Sequence, residues 1–208
     1  VEVLIKLSTN YEVQLINLCK SYEENSVLDN INLNILENKI TVISGPSGCG
    51  KTTLLNIISG IEKEDSGQVI LKDNNISYIF QEDRLIPHLT VYENIAFVLK
   101  STINKDEMNK VITKYLEMVK LIEFKDKLPS KLSGGMKRRV AIARAFAYKS
   151  RLLLMDEPFK GLDDKLKTEI IEEFLKLYEK EKRTVVLVTH DKEEAKLLGN
   201  VIYSLHMR

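Results

Sequence analysis

At 208 residues the chain can bury one substantial core, possibly with a subdomain, and two independent domains would be a tight fit. Lys and Arg number 31 against 30 Asp and Glu; the net charge of +1 leaves no global electrostatic footprint for nucleic acid or an acidic membrane surface. Charged residues make up 29% and are mixed in sign, which argues against disorder, and no apolar run approaches membrane-spanning length.

The chain starts at Val1, without Met, and Val1 to Leu7 is expected to reflect trimming or a non-native start. No signal-peptide pattern is read there, so the expected place of work is inside the cell. Short alternating segments, Val13 to Leu18 and Ile31 to Ile35, predict antiparallel strands ahead of the core. Ile40 to Ile43 predicts a buried strand, and Thr52 to Ile58 the helix after it. Between them, Gly45-Pro46-Ser47-Gly48-Cys49-Gly50-Lys51-Thr52 spells the phosphate-binding loop G-x-x-x-x-G-K-[ST]. Gly45, Gly48 and Gly50 let successive backbone N–H groups curl around phosphate oxygens, and the helix N-terminus adds partial positive charge. Lys51 is placed to reach the β- and γ-phosphates, and Thr52 to offer its hydroxyl to Mg²⁺; Pro46, Ser47, Cys49 and Thr53 complete the expected nucleotide-binding stretch. Cys19 and Cys49 carry no metal-site spacing, and both are expected to be reduced thiols.

Gln68 to Leu71 and Ile76 to Phe80 predict further strands. From Glu82 the texture turns helical: Met108, Val111, Ile112, Tyr115, Leu116, Val119 and Ile122 recur at helical spacing, and an alanine-rich helix covers Val140 to Tyr148. The parallel α/β pattern resumes with a strand at Leu152 to Met155, a helix around Lys165 to Lys182, a strand at Thr184 to Val188, a short helix, and a strand at Val201 to Leu205. The strand at Leu152 ends on Asp156 and Glu157. An aspartate at a strand's C-terminal edge can hold the Mg²⁺ shell, and the adjacent glutamate can deprotonate an attacking water. Leu132-Ser133-Gly134-Gly135-Met136 reads as a helix N-cap, with the helix beginning near Met136; Ser133, Gly134 and Gly135 offer a second anion site far along the chain from the first.

With its motifs in this order, from about Val13 onward, the sequence resembles the ATP-binding cassette ATPases of ABC transporters, whose signature is LSGGQ. The resemblance implies an α/β P-loop NTPase core with a mostly parallel sheet, an N-terminal antiparallel β subdomain and an inserted helical subdomain. The whole of 1–208 would form one ATPase domain, with core and β subdomain at about 11–81 and 151–208 and the helical signature subdomain at 82–150. It further implies that Gln81 contacts Mg²⁺ or the attacking water, that His190 contacts the γ-phosphate, that Asp163 belongs to the D-loop, and that Tyr22 stacks on adenine. His88 and His206 match no motif. The cofactors implied are ATP and Mg²⁺. The implied partners are a second copy across which two ATP molecules are shared, transmembrane permease subunits and a solute-binding protein, with no nucleic acid, at the cytoplasmic face of the membrane.

Two positions depart from the pattern: Met136 replaces the signature glutamine, and Lys160-Gly161 replaces the small residues usual before Leu162-Asp163. Phe80 to Pro87 and Glu157-Pro158-Phe159 look like importer ATPases of the nitrate, sulfonate and taurine group. The competing readings are a lipoprotein-releasing or peptide-exporting system, and a soluble cassette acting on ribosomes or DNA.

Overall fold

The structure, a computed structural model, describes residues 10–205, so Val1 to Leu7 and His206 lie outside the described residues. Strands β1 (Tyr11–Tyr22) and β2 (Asn25–Leu36) form an antiparallel pair, and β4 (Ser66–Leu71) joins the other side of β1, giving a three-stranded sheet. Alternation decides its inner face: Val13, Leu15, Leu28, Leu33 and Ile35 are buried there. Gln68 to Leu71, anticipated as a strand, therefore serves this sheet and not the parallel one.

The second sheet has the order β5 (Ile76–Ile79), β6 (Leu152–Asp156), β7 (Thr184–Thr189), β3 (Ile40–Ser44) and β8 (Val201–Ser204), with every pairing parallel. Every residue of β6 and β7 is buried, as continuous apolar strands must be when both faces are covered. The period of two sends Leu153, Met155, Val185 and Leu187 into a core shared with the helices. Leu152, Leu154, Val186 and Val188 instead enter a core shared with the antiparallel sheet and α1 (Lys51–Ile58).

The helical layer consists of α2 (Val91–Leu99), α3 (Lys105–Met118), α4 (Gly134–Ala147) and α5 (Asp164–Lys180), and α6 (Lys192–Leu198) packs near β3 and β7. Helix α2 starts with a capping box in which the Thr90 side chain accepts from Glu93 N–H and the Glu93 carboxylate from Thr90 N–H. The apolar stripe expected to run from Met108 to Ile122 outlasts its helix. Helix α3 ends at Met118, Lys120 turns left-handed at φ 55°, and Ile122–Phe124 forms a separate 3₁₀ turn, while the buried Val119 and Leu121 keep the stripe in the core. Helix α4 begins at Gly134, earlier than the expected start near Met136, because the Ser133 hydroxyl accepts from Met136 N–H at 3.3 Å and caps the preceding turn.

Because the sheet is parallel, the chain leaves β5, β6, β7 and β3 at one edge. Gln81, the Asp156-Glu157 pair, His190 and the Gly45 loop all follow these strand ends, where open α/β sheets bind ligands.

Candidate functional site at the sheet edge

The phosphate loop requires its glycines locally. Gly50 sits at φ 92°, and a Cβ there would lie 2.8 Å from Val27 Cγ1 and 2.9 Å from Leu28 Cδ2; Gly48 adopts φ 83°. Lys51 opens α1 and is only 6% exposed, yet among the described residues its ammonium makes no ion pair. It donates to the carbonyls of Gly45 at 2.9 Å and Pro46 at 2.6 Å, so the cation is held at the loop it would serve. Thr52 donates its hydroxyl to Asp156 Oδ2 at 2.7 Å, joining the loop to the end of β6. Burial pushes the Asp156 carboxyl above its usual range, with the Thr52 hydrogen bond opposing.

Glu157 follows in a left-handed backbone conformation at φ 45°, anchored by its N–H to Val188 O at 2.9 Å. Its carboxylate lies between two groups: His190 Nδ1 is 2.8 Å from Oε1, and Lys160 Nζ is 2.8 Å from Oε2. The Lys160 contact is an ion pair outside good hydrogen-bond angles, so the buried Oε2 has no aligned donor. Burial raises the Glu157 pKa, but Lys160 and His190 together outweigh it and leave the group below its ordinary value.

Arg138, from α4, is the residue that sequence reasoning missed. Only 4% exposed, it donates to the carbonyls of Phe80, Gln81, Asp156, Glu157 and Pro158, tying the segments after β5 and β6 to the signature helix. Its guanidinium also lies 3.7 Å from Asp83. A charged residue in an alanine-rich helix reads as solvated, and the only available signal was its placement five positions after Ser133, one and a half turns along the buried face.

Tyr22 ends β1 and is 44% exposed. Its hydroxyl bonds to Glu62 and reaches the Thr53 side chain, which places the ring beside the start of α1. The Gln81 side chain is exposed. Ser133 and Gly134 are exposed too, while Gly135 faces the turn after Glu157, where an added Cβ would lie 3.7 Å from Gly161 O. Asp163 caps α5 by accepting from Leu166 N–H at 3.0 Å. Lys51 is thus bonded to the Gly45 loop, Thr52 to Asp156 and His190 to Glu157, and the chain adjacency of 51–52 and 156–157 makes these bonds one constellation. They do not join Ser133, Gly134 or Asp163 to it.

Among the described residues no group of three His, Cys, Asp or Glu side chains could hold a metal. Thr52 and Asp156 still fit Mg²⁺, a hard cation usually held by one or two protein oxygens, with phosphates and water completing its shell.

The fold and this loop geometry define a P-loop NTPase of the cassette type. The chain belongs to the ABC transporter family, whose profile matches residues 28–160. It is 44% identical over 195 residues to a spermidine/putrescine import ATP-binding protein PotA of Thermotoga maritima, covering 88% of this chain and 53% of the relative. It is 42% identical to an uncharacterized ABC transporter ATP-binding protein of Methanocaldococcus jannaschii, covering 92% of this chain and 76% of that one. The chain thus spans about half the length of the PotA relatives it matches. Among solved structures, the dimeric bacterial ABC transporter cassette MJ0796 superposes with a TM-score of 0.86 at 35% identity, covering 93% of this chain and 94% of that one. A second structure of MJ0796, a post-hydrolysis dimer bound to ADP and Pi, gives a TM-score of 0.83 at 36% identity, with coverage of 93% and 94%.

Proposed function

We propose that this chain binds MgATP and hydrolyses it at the interface of two copies, powering import through membrane permease subunits. The observation that carries this reading is the Glu157 carboxylate, held by His190 at the sheet edge where Thr52 meets Asp156. Lys51 exchanges its loop carbonyls for the β- and γ-phosphates. Glu157 accepts a proton from the attacking water, and His190, able both to donate and to accept, orients that carboxylate. Mg²⁺, held by Thr52 and Asp156 with Gln81 nearby, neutralises charge on the phosphates when bound. Tyr22 offers a stacking face to the adenine.

The outward-facing Ser133, Gly134 and α4 N-terminus suit the ATP of a second copy, arranged by two-fold symmetry, and the dimeric MJ0796 cassettes support that arrangement. We read 82–150 as the helical signature subdomain and the rest as core with its β subdomain. No described helix is long and apolar enough to cross a membrane, which suits a peripheral subunit on the cytoplasmic face. The relatives named for spermidine and putrescine support import, but their cargo differs from the nitrate, sulfonate and taurine class that the loop phrases resemble. The residues of this reading serve the nucleotide, so the reading extends to import, served by a solute-binding protein, and leaves the solute to the permease.

Glu157→Gln tests the reading, because it keeps the side chain's size and removes its basicity. Hydrolysis falls by about 10²–10⁴-fold while ATP binding survives. Size exclusion with light scattering in MgATP then shows a trapped dimer. Normal hydrolysis by the variant would remove Glu157 from the chemistry.

A further inference from the structure

The turn after Glu157 carries a cation where small residues are usual, and the fold holds that cation on the proposed base. Lys160 N–H donates to Glu157 O at 3.2 Å and Leu162 N–H to Phe159 O at 3.3 Å, which winds the segment into a tight turn. The turn brings the Lys160 ammonium over Glu157 Oε2, while His190 occupies Oε1. Both carboxylate oxygens are therefore engaged. They are not engaged equally: His190 is hydrogen-bonded to Oε1, whereas Oε2 has only the ion pair and no aligned donor. Oε2 is the oxygen left without a hydrogen-bond donor, and the Lys160 ammonium shields it from water.

The two partners also differ in freedom. The Glu157 side chain is 12% exposed and the Lys160 side chain 56% exposed, so the lysine can leave into solvent and the glutamate cannot. Gly161, at φ 79°, turns the chain on toward Asp163, and its carbonyl faces Gly135 of the signature. The segment that carries Lys160 thus borders the surface assigned to the second copy.

We propose that Lys160 is a positioning residue that restrains Glu157: in the separate protomer its ammonium covers Oε2, and the carboxylate takes the attacking water only after Lys160 withdraws. This rests on the reading of Glu157 as the base. An ion pair with one well-solvated partner biases such an equilibrium by about two- to fivefold, so the restraint slows turnover without abolishing it.

Single-turnover hydrolysis, with protein in excess over MgATP and the protein concentration varied, tests the idea by separating the chemical step from nucleotide affinity. Lys160→Ala raises the saturating rate about two- to fivefold and leaves the apparent affinity for ATP unchanged, while Lys160→Arg, which keeps the cation, retains the wild-type rate. A merely structural lysine would move affinity and rate together, or neither. An unchanged or slower Lys160→Ala overturns the restraint, as does a Lys160→Arg variant as fast as Lys160→Ala. Glu157→Gln in the same assay keeps the two readings apart: hydrolysis that survives it overturns the underlying assignment of the base, whereas its loss alongside an unresponsive Lys160→Ala overturns this inference alone.

Discussion

Replacing Arg138 with Met keeps an unbranched apolar stem and removes a guanidinium that donates to five backbone carbonyls. The bonds to Pro158 O, at 2.8 Å, and Asp156 O, at 2.9 Å, are buried, so those carbonyls lose their donor where water does not replace it. Each orphaned group costs about 1–3 kcal/mol. The bonds to Phe80 and Gln81 are less enclosed and contribute less. The sum is about 3–5 kcal/mol, within the range for removing one partner of a buried charged network. For a chain of this size each kcal/mol lowers Tm by about 2–4 °C, so melting followed by circular dichroism drops by about 6–20 °C. Function divides as well: the phosphate loop makes no bond to Arg138, so ATP binding persists below the new Tm, while hydrolysis falls further than binding because the segments bearing Gln81 and Glu157 lose their common anchor. Arg138→Lys falls between, since an ammonium cannot span carbonyls from two segments as a planar fork does. A Tm loss under about 3 °C with hydrolysis intact would refute the assignment of Arg138 as that anchor.

Lys51→Ala removes a buried cation facing the loop and weakens MgATP by about 10²-fold or more, measured by calorimetric titration; wild-type affinity in the variant would contradict the phosphate-loop assignment. Tyr22→Ala weakens ATP by about 1–3 kcal/mol and leaves inorganic triphosphate binding unchanged; competition between the two ligands reads the difference, and equal losses for both would return Tyr22 to the role of a strand-end residue.

The strands were legible because burial on both faces leaves a short apolar run with little else it can be, as at Leu152 to Met155 and Thr184 to Val188. The phosphate loop, the Asp156-Glu157 pair and the helix after Ser133 were legible because each is a local solution, a few residues long, to a demand of backbone and charge. Helix α2 was not, since Glu93 and the buried Asn94 interrupt its apolar face; the Asn94 side chain turns inward to bond Ile86, Leu89 and Thr90. The end of α3 was misplaced because Val119 and Ile122 keep the helical period while Lys120 breaks the helix. Arg138 was missed because its partners are carbonyls, and a carbonyl has no signature in the sequence. Lys160 stood out as a departure, but its partner emerged only once the turn placed the ammonium over Oε2.

The order of strands in the parallel sheet bears on how the chain leaves the ribosome. Strand β3, which carries the phosphate loop, pairs only with β7 and β8, whose residues are synthesised about 140 positions later or more. A nascent chain that has emerged as far as Asp156 can pair β1 with β2 and β5 with β6, yet β3 still waits for its first neighbour. Long-range pairing of this kind is slow and leaves apolar edges uncovered in the interval. Nucleotide capture is therefore a late event in the protein's biogenesis: a fragment stalled before Thr184 holds the complete phosphate motif without the sheet that gives it shape.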